Sequence, residues 1–144
     1  LTSEEFKNCE YISPGYTCDG DNVNPPLEIS EVPENAKSLA LIMDDPDAPG
    51  GTFVHWLVWN LPPETKEIDC GNSMPLDAVC GTTSFGRTGY GGPCPPEGEH
   101  RYFFKLYALD ILLLLPETAN KNDLLQAMQG HILDKAELIG LYTR

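Results

Sequence analysis

The segment FVHWLVWN, residues 53–60, constrains the fold more than any other stretch of the chain. Two-residue alternation puts Phe53, His55, Leu57 and Trp59 on one face of a strand and Val54, Trp56 and Val58 on the other. Both faces are apolar, so the strand needs cover on both sides, as in the middle of a sandwich. LPPE, from residue 61, ends it, because proline cannot continue a central ladder. SLALIM, residues 38–43, is a second buried strand that runs into the tight loop DDPDAPGG. RYFFKLYALD, residues 101–110, is a third, rich in aromatics. Thirteen prolines and thirteen glycines imply many turns, hence an all-β chain. Its 144 residues, 41% of them apolar, fit a single domain over residues 1–144.

One helix interrupts this pattern. NKNDLLQAMQGHILDKA places Leu124, Met128 and Ile132 on one stripe, which predicts a helix near residues 121–135 capped by Asn120 or Asn122. ELIGLYTR then reads as a final strand. Residues 8–26 are turn-rich and predict loop with short strands. SFGRTGYGGPCPPEGEH, residues 84–100, predicts a loop held in order by its prolines.

The net charge of −13 comes with nine scattered basic residues and no two adjacent. This excludes nucleic acid and anionic membranes as partners, and leaves anions only at a local site. The longest apolar run, ILLLL at residues 111–115, falls far short of the ~20 residues that span a bilayer. Read as a strand, it cannot hide every leucine, so it predicts a self-association surface and a homodimer; the alternative covers both of its faces with core and helix. Cys9, Cys18, Cys70, Cys80 and Cys94 show no CxxC spacing, which argues against a zinc knuckle. They are read as those of a reduced, cytoplasmic protein; a leader removed before Leu1 would instead make it periplasmic or secreted.

Candidate chemistry gathers around two histidines. His55 lies one loop from Asp44, Asp45 and Asp47, and His100 follows the Gly/Pro loop and precedes Arg101 and Tyr102. His55 is either a core histidine bonded to backbone or an imidazole oriented by a carboxylate, its other nitrogen facing a ligand. The aspartates are either Asx-turn residues or pocket acids. Gly89, Gly91 and Gly92 either form a plain hairpin or expose N–H groups to an anion. His131 is expected to sit partly buried on the helix. No GxxxxGK[ST], GxSxG or HExxH occurs, and nothing local activates Ser84 or Cys94 as a nucleophile. Asp45, Asp47, His55 and His100 could form a metal site of two histidines and carboxylates, the basis of a hydrolase alternative. Structural work for the aspartates leaves two histidines, fewer than the three protein ligands a zinc site needs, so no metal and no other cofactor is expected.

DDPDAPGG followed by HWLVWN, then GYGGPCPPEGEHRYFFKLYALD and AMQGHILDKAELIGLYTR, together closely resemble the phosphatidylethanolamine-binding protein family, also called Raf kinase inhibitor protein-like. YTCDGDNVNPPL and GYGGPCPP are similar to its compact bacterial and archaeal branch. The resemblance covers about residues 8 to 144. It implies a Greek-key antiparallel β-sandwich with a pocket for phosphate-type anions. It further implies that Asp45 is the pocket acid, with Asp47 supporting the loop and His55, His100 and Tyr102 inside. Tyr90, Gly92, Pro95 and Pro96 would line the mouth, and Ala48 and Pro49 the opposite rim, with a cis bond between them. The loop before His100 is shorter than in animal members.

The resulting expectation is a non-enzymatic binding and regulatory protein for a phosphate-type or carboxylate anion, with His55 and His100 receiving it as imidazolium. A phosphorylated protein, a kinase or a peptidase would be the larger partner. The alternatives are a hydrolase using the same residues, with or without a metal, and an interaction scaffold with a vestigial pocket.

Overall fold

A computed structural model describes residues 1–71, 74–75 and 77–144. The strands are β1 (Glu10–Tyr11), β2 (Leu27–Glu28), β3 (Ser38–Asp45), β4 (Phe53–Leu61), β5 (Glu67–Ile68), β6 (Val79–Cys80), β7 (Glu99–Leu109) and β8 (Ile132–Thr143). Among the described residues one helix, α1 (Lys121–Met128), precedes β8, and one 3-10 turn spans Pro14–Tyr16.

Six strands form one sheet in the order β1-β8-β7-β3-β4-β6, and β2 pairs with β5 in a second, small one. β3 and β4 form a hairpin, and the long connection through β6 brings β7 back to the far side of β3, as in a Greek key. All pairings are antiparallel except β1 with β8, which is parallel.

Every residue of β3 is buried, because the large sheet is covered on both faces. On one face Leu41, Met43, Trp56, Phe104 and Leu138 pack with Phe6, Ile12, Leu27 and Ile68 from the N-terminal segment and the small sheet. On the other, Ala40, Ile42, Leu57 and Trp59 pack under Leu113, Ala119, Leu124 and Met128.

Two β-bulges in β4 correct the simple alternation. Met43 pairs with Trp56 and Asp44 with Val54, so His55 is an extra residue with no partner on β3. A second extra residue falls between Leu61 and Val58, opposite Leu39 and Leu41. There Asn60 takes a positive φ of 58°. Its side chain donates to the Leu113 carbonyl and accepts from the Leu113 N–H, both at 2.8 Å. Because of the first bulge, Val54 joins Leu57 and Trp59, while His55 turns to the side of Trp56 and Tyr102.

The helix is shorter than predicted. Asn120 caps it reciprocally with Asp123, but it stops at Met128. Gly130, at φ +82°, turns the chain, and Ile132 opens β8 instead of extending the apolar stripe. His131 therefore lies off the helix, its Nδ1 2.8 Å from Asp110. The ILLLL segment is not a strand: Leu113 is buried, while Leu114 is 99% and Leu112 57% exposed. No cis peptide bond occurs among the described residues, so the Ala48–Pro49 bond is trans. Cys18 and Cys94 form a disulfide, which corrects the all-reduced expectation, while Cys9, Cys70 and Cys80 are free thiols. Among the described residues no helix is long and apolar enough to cross a membrane.

Candidate functional site

The three central strands meet at one end of the sheet. Asp45 is the last residue of β3, Phe53 and His55 open β4, and His100 and Tyr102 open β7. Between them lies a cavity of about 220 Å³. Ala48 and Pro49 from the loop after β3 form one rim; Phe85, Cys94, Pro95 and Pro96 from the loop before β7 form the other.

His100 is 6% exposed and its Nδ1 lies 2.6 Å from Asp45 Oδ2. The other Asp45 oxygen accepts from the Asp47 N–H at 2.8 Å, an Asx turn. Asp45 thus closes the turn with one oxygen and lines the cavity beside His100 with the other. His55 is anchored differently from the carboxylate-paired expectation. Its Nδ1 donates to the Gly91 carbonyl at 2.7 Å, and the Gly91 N–H donates back to the His55 carbonyl at 3.0 Å. Burial lowers the His55 pKa and outweighs the raising effects of that carbonyl and of Asp45. The neutral ring with Nδ1–H committed keeps a lone pair on Nε2. The bulge makes this possible, since a regular β4 would send residue 55 to the opposite face.

The walls are largely aromatic. His55 meets Phe53, Phe85 and Tyr102 at ring-centroid distances of 5.0, 5.4 and 5.3 Å. The Tyr102 hydroxyl is buried without a hydrogen-bond partner of good geometry. Burial, with the Asp45 charge nearby, pushes its pKa far up, so it stays a neutral donor.

Eight of the residues singled out from sequence line this cavity: Asp45, Ala48, Pro49, His55, Pro95, Pro96, His100 and Tyr102. Three do not. Asp47 clamps Arg101 instead, with bonds of 2.9 Å from Nε and Nη2 and 3.0 Å from its main-chain N–H. That clamp holds the Asp47 carboxyl down at about 2. Tyr90 is buried against Trp56 and donates its hydroxyl to the Tyr16 carbonyl at 2.7 Å. Gly92 donates its N–H to Asn22 Oδ1 at 2.8 Å, with Tyr16 and Thr17 main chain where a Cβ would stand. Tyr90 and Gly92 brace the mouth loop from behind. Phe53, Phe85 and Cys94 complete the lining and were missed as site residues. Phe53 carried a readable signal, its place two residues before His55; Phe85 and Cys94 are placed by the path of the loop alone.

Asp44 faces away from the cavity. Its Oδ2 lies 2.7 Å from Lys121 Nζ on α1 and 3.3 Å from Lys105 Nζ on β7. Among the described residues no group of three or more metal-binding side chains converges, and the two cavity imidazoles have only Asp45 beside them, already bonded to His100 and to the turn.

A family profile for phosphatidylethanolamine-binding protein matches residues 2–143. A UPF0098 protein of Methanothermobacter thermautotrophicus is 49% identical, over all of this chain and 98% of its own length. One from Pyrococcus abyssi is 50% identical, over 99% of this chain and 84% of its own. Among solved structures, a phosphatidylethanolamine-binding protein homologue from Chlamydia trachomatis superposes with a TM-score of 0.95 at 43% identity, covering 99% of this chain and 95% of that one. YbcL of Escherichia coli, described as a member of the mammalian family, gives 0.92 at 32% identity, covering 99% and 96%. These matches show that the chain belongs to the phosphatidylethanolamine-binding protein family.

Proposed function

We propose that the chain is a non-enzymatic binding protein whose cavity takes a small anion of phosphate or carboxylate type. The observation that carries this reading is the pair of imidazoles, each with Nδ1 already bonded, so that only Nε2 is left for the cavity. His100, its Nδ1 held by Asp45, turns Nε2 towards the cavity that the Tyr102 hydroxyl also lines. His55 is suited to accept, which replaces the expectation that both rings receive as imidazolium. Among the described residues no lysine or arginine lines the cavity, and Asp45 adds a carboxylate to its wall. A phosphate monoanion, which keeps a P–OH proton for His55, suits this arrangement better than a dianion. A phosphorylated protein, a kinase or a peptidase would engage the cavity by passing such a group between Phe53, Phe85 and Pro96.

Titration with phosphate and phosphoserine, followed through the histidine ring resonances, tests this. The rings of His55 and His100 should shift saturably, and His100→Ala should abolish the response. A titration that leaves both rings unmoved refutes the proposal. One observation favours a second reading: Asp45–His100 is also the pairing of a general base with its orienting carboxylate. Turnover of aryl esters or phosphoesters that His100→Ala removes would select the hydrolase.

Exposed Leu112 and Leu114 support self-association, which would appear as a dimer in sedimentation that Leu114→Lys dissolves; a monomer at all concentrations would sink it. For location, the Cys18–Cys94 bridge favours an oxidising compartment over the cytosol.

A further inference from the structure

We propose that the Cys18–Cys94 bridge is a thiol–disulfide exchange site whose state sets the wall of the cavity. Both cysteines are exposed, so a thiol can reach them. The bridge joins residues 76 apart in sequence, tying the loop after the Pro14–Tyr16 turn to the loop before β7. Cys94 lines the cavity itself, next to Pro95 and Pro96. The bridge is reinforced at its base by the Cys18 N–H donating to the Pro93 carbonyl at 3.1 Å.

A guanidinium sits on the sulfurs. Arg144 Nη1 is 3.4 Å from Cys94 Sγ and 3.8 Å from Cys18 Sγ, and Nη2 is held 3.3 Å from Asp19 Oδ1. A cation there stabilises a departing thiolate, and a better leaving group is displaced faster. The shorter distance makes Cys94 the leaving sulfur and Cys18 the sulfur attacked.

The step balances with a low-molecular-weight or protein thiol as co-reactant. Its thiolate attacks Cys18 Sγ; a new S–S bond forms to Cys18 as the Cys18–Cys94 bond breaks, and the electron pair leaves on Cys94 beside Arg144. A second thiolate attacks the incoming sulfur of the mixed disulfide, releasing Cys18 and carrying the oxidised pair away. Two cysteine thiols are formed and two donor thiols are oxidised. The mouth loop then loses its covalent tie and keeps the hydrogen bonds of Tyr90, Gly92 and Cys18.

The link to ligand binding rests on the proposed function; the exchange chemistry does not. A variant with Cys9→Ser, Cys70→Ser and Cys80→Ser isolates the pair. Treated with millimolar reduced glutathione, it should form a mixed disulfide on Cys18 in peptide mass mapping. Adding Arg144→Gln should slow exchange severalfold while far-ultraviolet circular dichroism stays unchanged. Full reduction should shift the His55 and His100 ring resonances and weaken phosphate binding severalfold. A bridge that glutathione leaves intact, a mixed disulfide found on Cys94, or parental exchange in the Arg144→Gln variant would overturn the exchange site. Ring resonances identical in both redox states would overturn the coupling. If phosphate binds neither form while the rings still respond to reduction, the anion reading fails and the exchange site stands.

Discussion

Removing both lysines from Asp44 should be far more damaging than removing either. The Asp44 carboxylate is 1% exposed, and Lys105 and Lys121 keep 31% and 22% of their side-chain surface in contact with solvent. Lys121→Met or Lys105→Met alone leaves one cation on the carboxylate, and the methionine keeps most of the apolar stem. Each should cost about 1 kcal/mol, the size of a partly exposed ion pair. The double variant strands a buried carboxylate whose Oδ1 already lacks a hydrogen-bond partner. Breaking a buried pair in this way costs roughly 3–5 kcal/mol. The coupling between the lysines should therefore be about 1–3 kcal/mol, because both act on the same Asp44 oxygen from different elements. Urea unfolding at neutral pH with a common m-value measures all four species. A third substitution, Asp44→Leu, should recover most of the loss, since an apolar triad removes the stranded charge. Costs of the two lysine changes that add within ~0.5 kcal/mol, or a triple variant no more stable than the double, would refute the reasoning.

Other outcomes follow from neighbouring residues. Asp47 has a folded-state pKa held below its unfolded value, so its contribution is present above about pH 4 and lost as pH falls towards about 2; Asp47→Asn should flatten that part of an acid-unfolding curve followed by circular dichroism. His55 also has a lowered folded-state pKa, so the unfolded chain binds more protons below about pH 6.5, and stability should fall there by up to about 1.4 kcal/mol per pH unit. His55→Gln should remove that slope from chemical denaturation measured across pH. Gly92→Ala should cost about 1–3 kcal/mol and weaken phosphate binding, because its Cβ would overlap the main chain of Tyr16 and Thr17. Thermal melts that match the parent would show that the two loops are not packed that closely.

The sandwich was legible because β3, β4 and β7 carry apolar runs bounded by proline and glycine, signals that depend only on local sequence. The site was legible where residues sit at strand ends: Asp45, His55, His100 and Tyr102 fall together once those strands align. What alternation could not reveal was the extra residue in β4, because a bulge is fixed by the partner strand; hence the wrong company assigned to Val54. The apolar stripe through Ile132 continued the helical period past Gly130, where the backbone turns instead. The Cys18–Cys94 pairing depends on how two loops meet, and five cysteines alone leave many pairings open. The three aspartates of DDPD look alike in sequence but face a helix, a histidine and an arginine respectively.

The order of the large sheet also decides how copies of this protein can and cannot meet. One margin is short and covered: β6 pairs with Val58 and Trp59, and the 81–91 loops bond the rest of β4 through Gly81, Ser84 and Gly91. The other margin is β8, where β1 pairs with Gly140 and Leu141, and Asn8 and Cys9 hydrogen-bond the main chain of Ile139. From Asp134 to Glu137 the strand pairs with β7 on one side and its residues are exposed, a template on which a foreign strand could hydrogen-bond. Asp134, Lys135 and Glu137 stand exposed along that rim, so an incoming apolar strand would have to desolvate three charges to dock. Growth by strand addition is thus blocked electrostatically at one margin and by loops at the other, and fibrillar assembly would first require β8 to lose those charges or β4 to lose its loops.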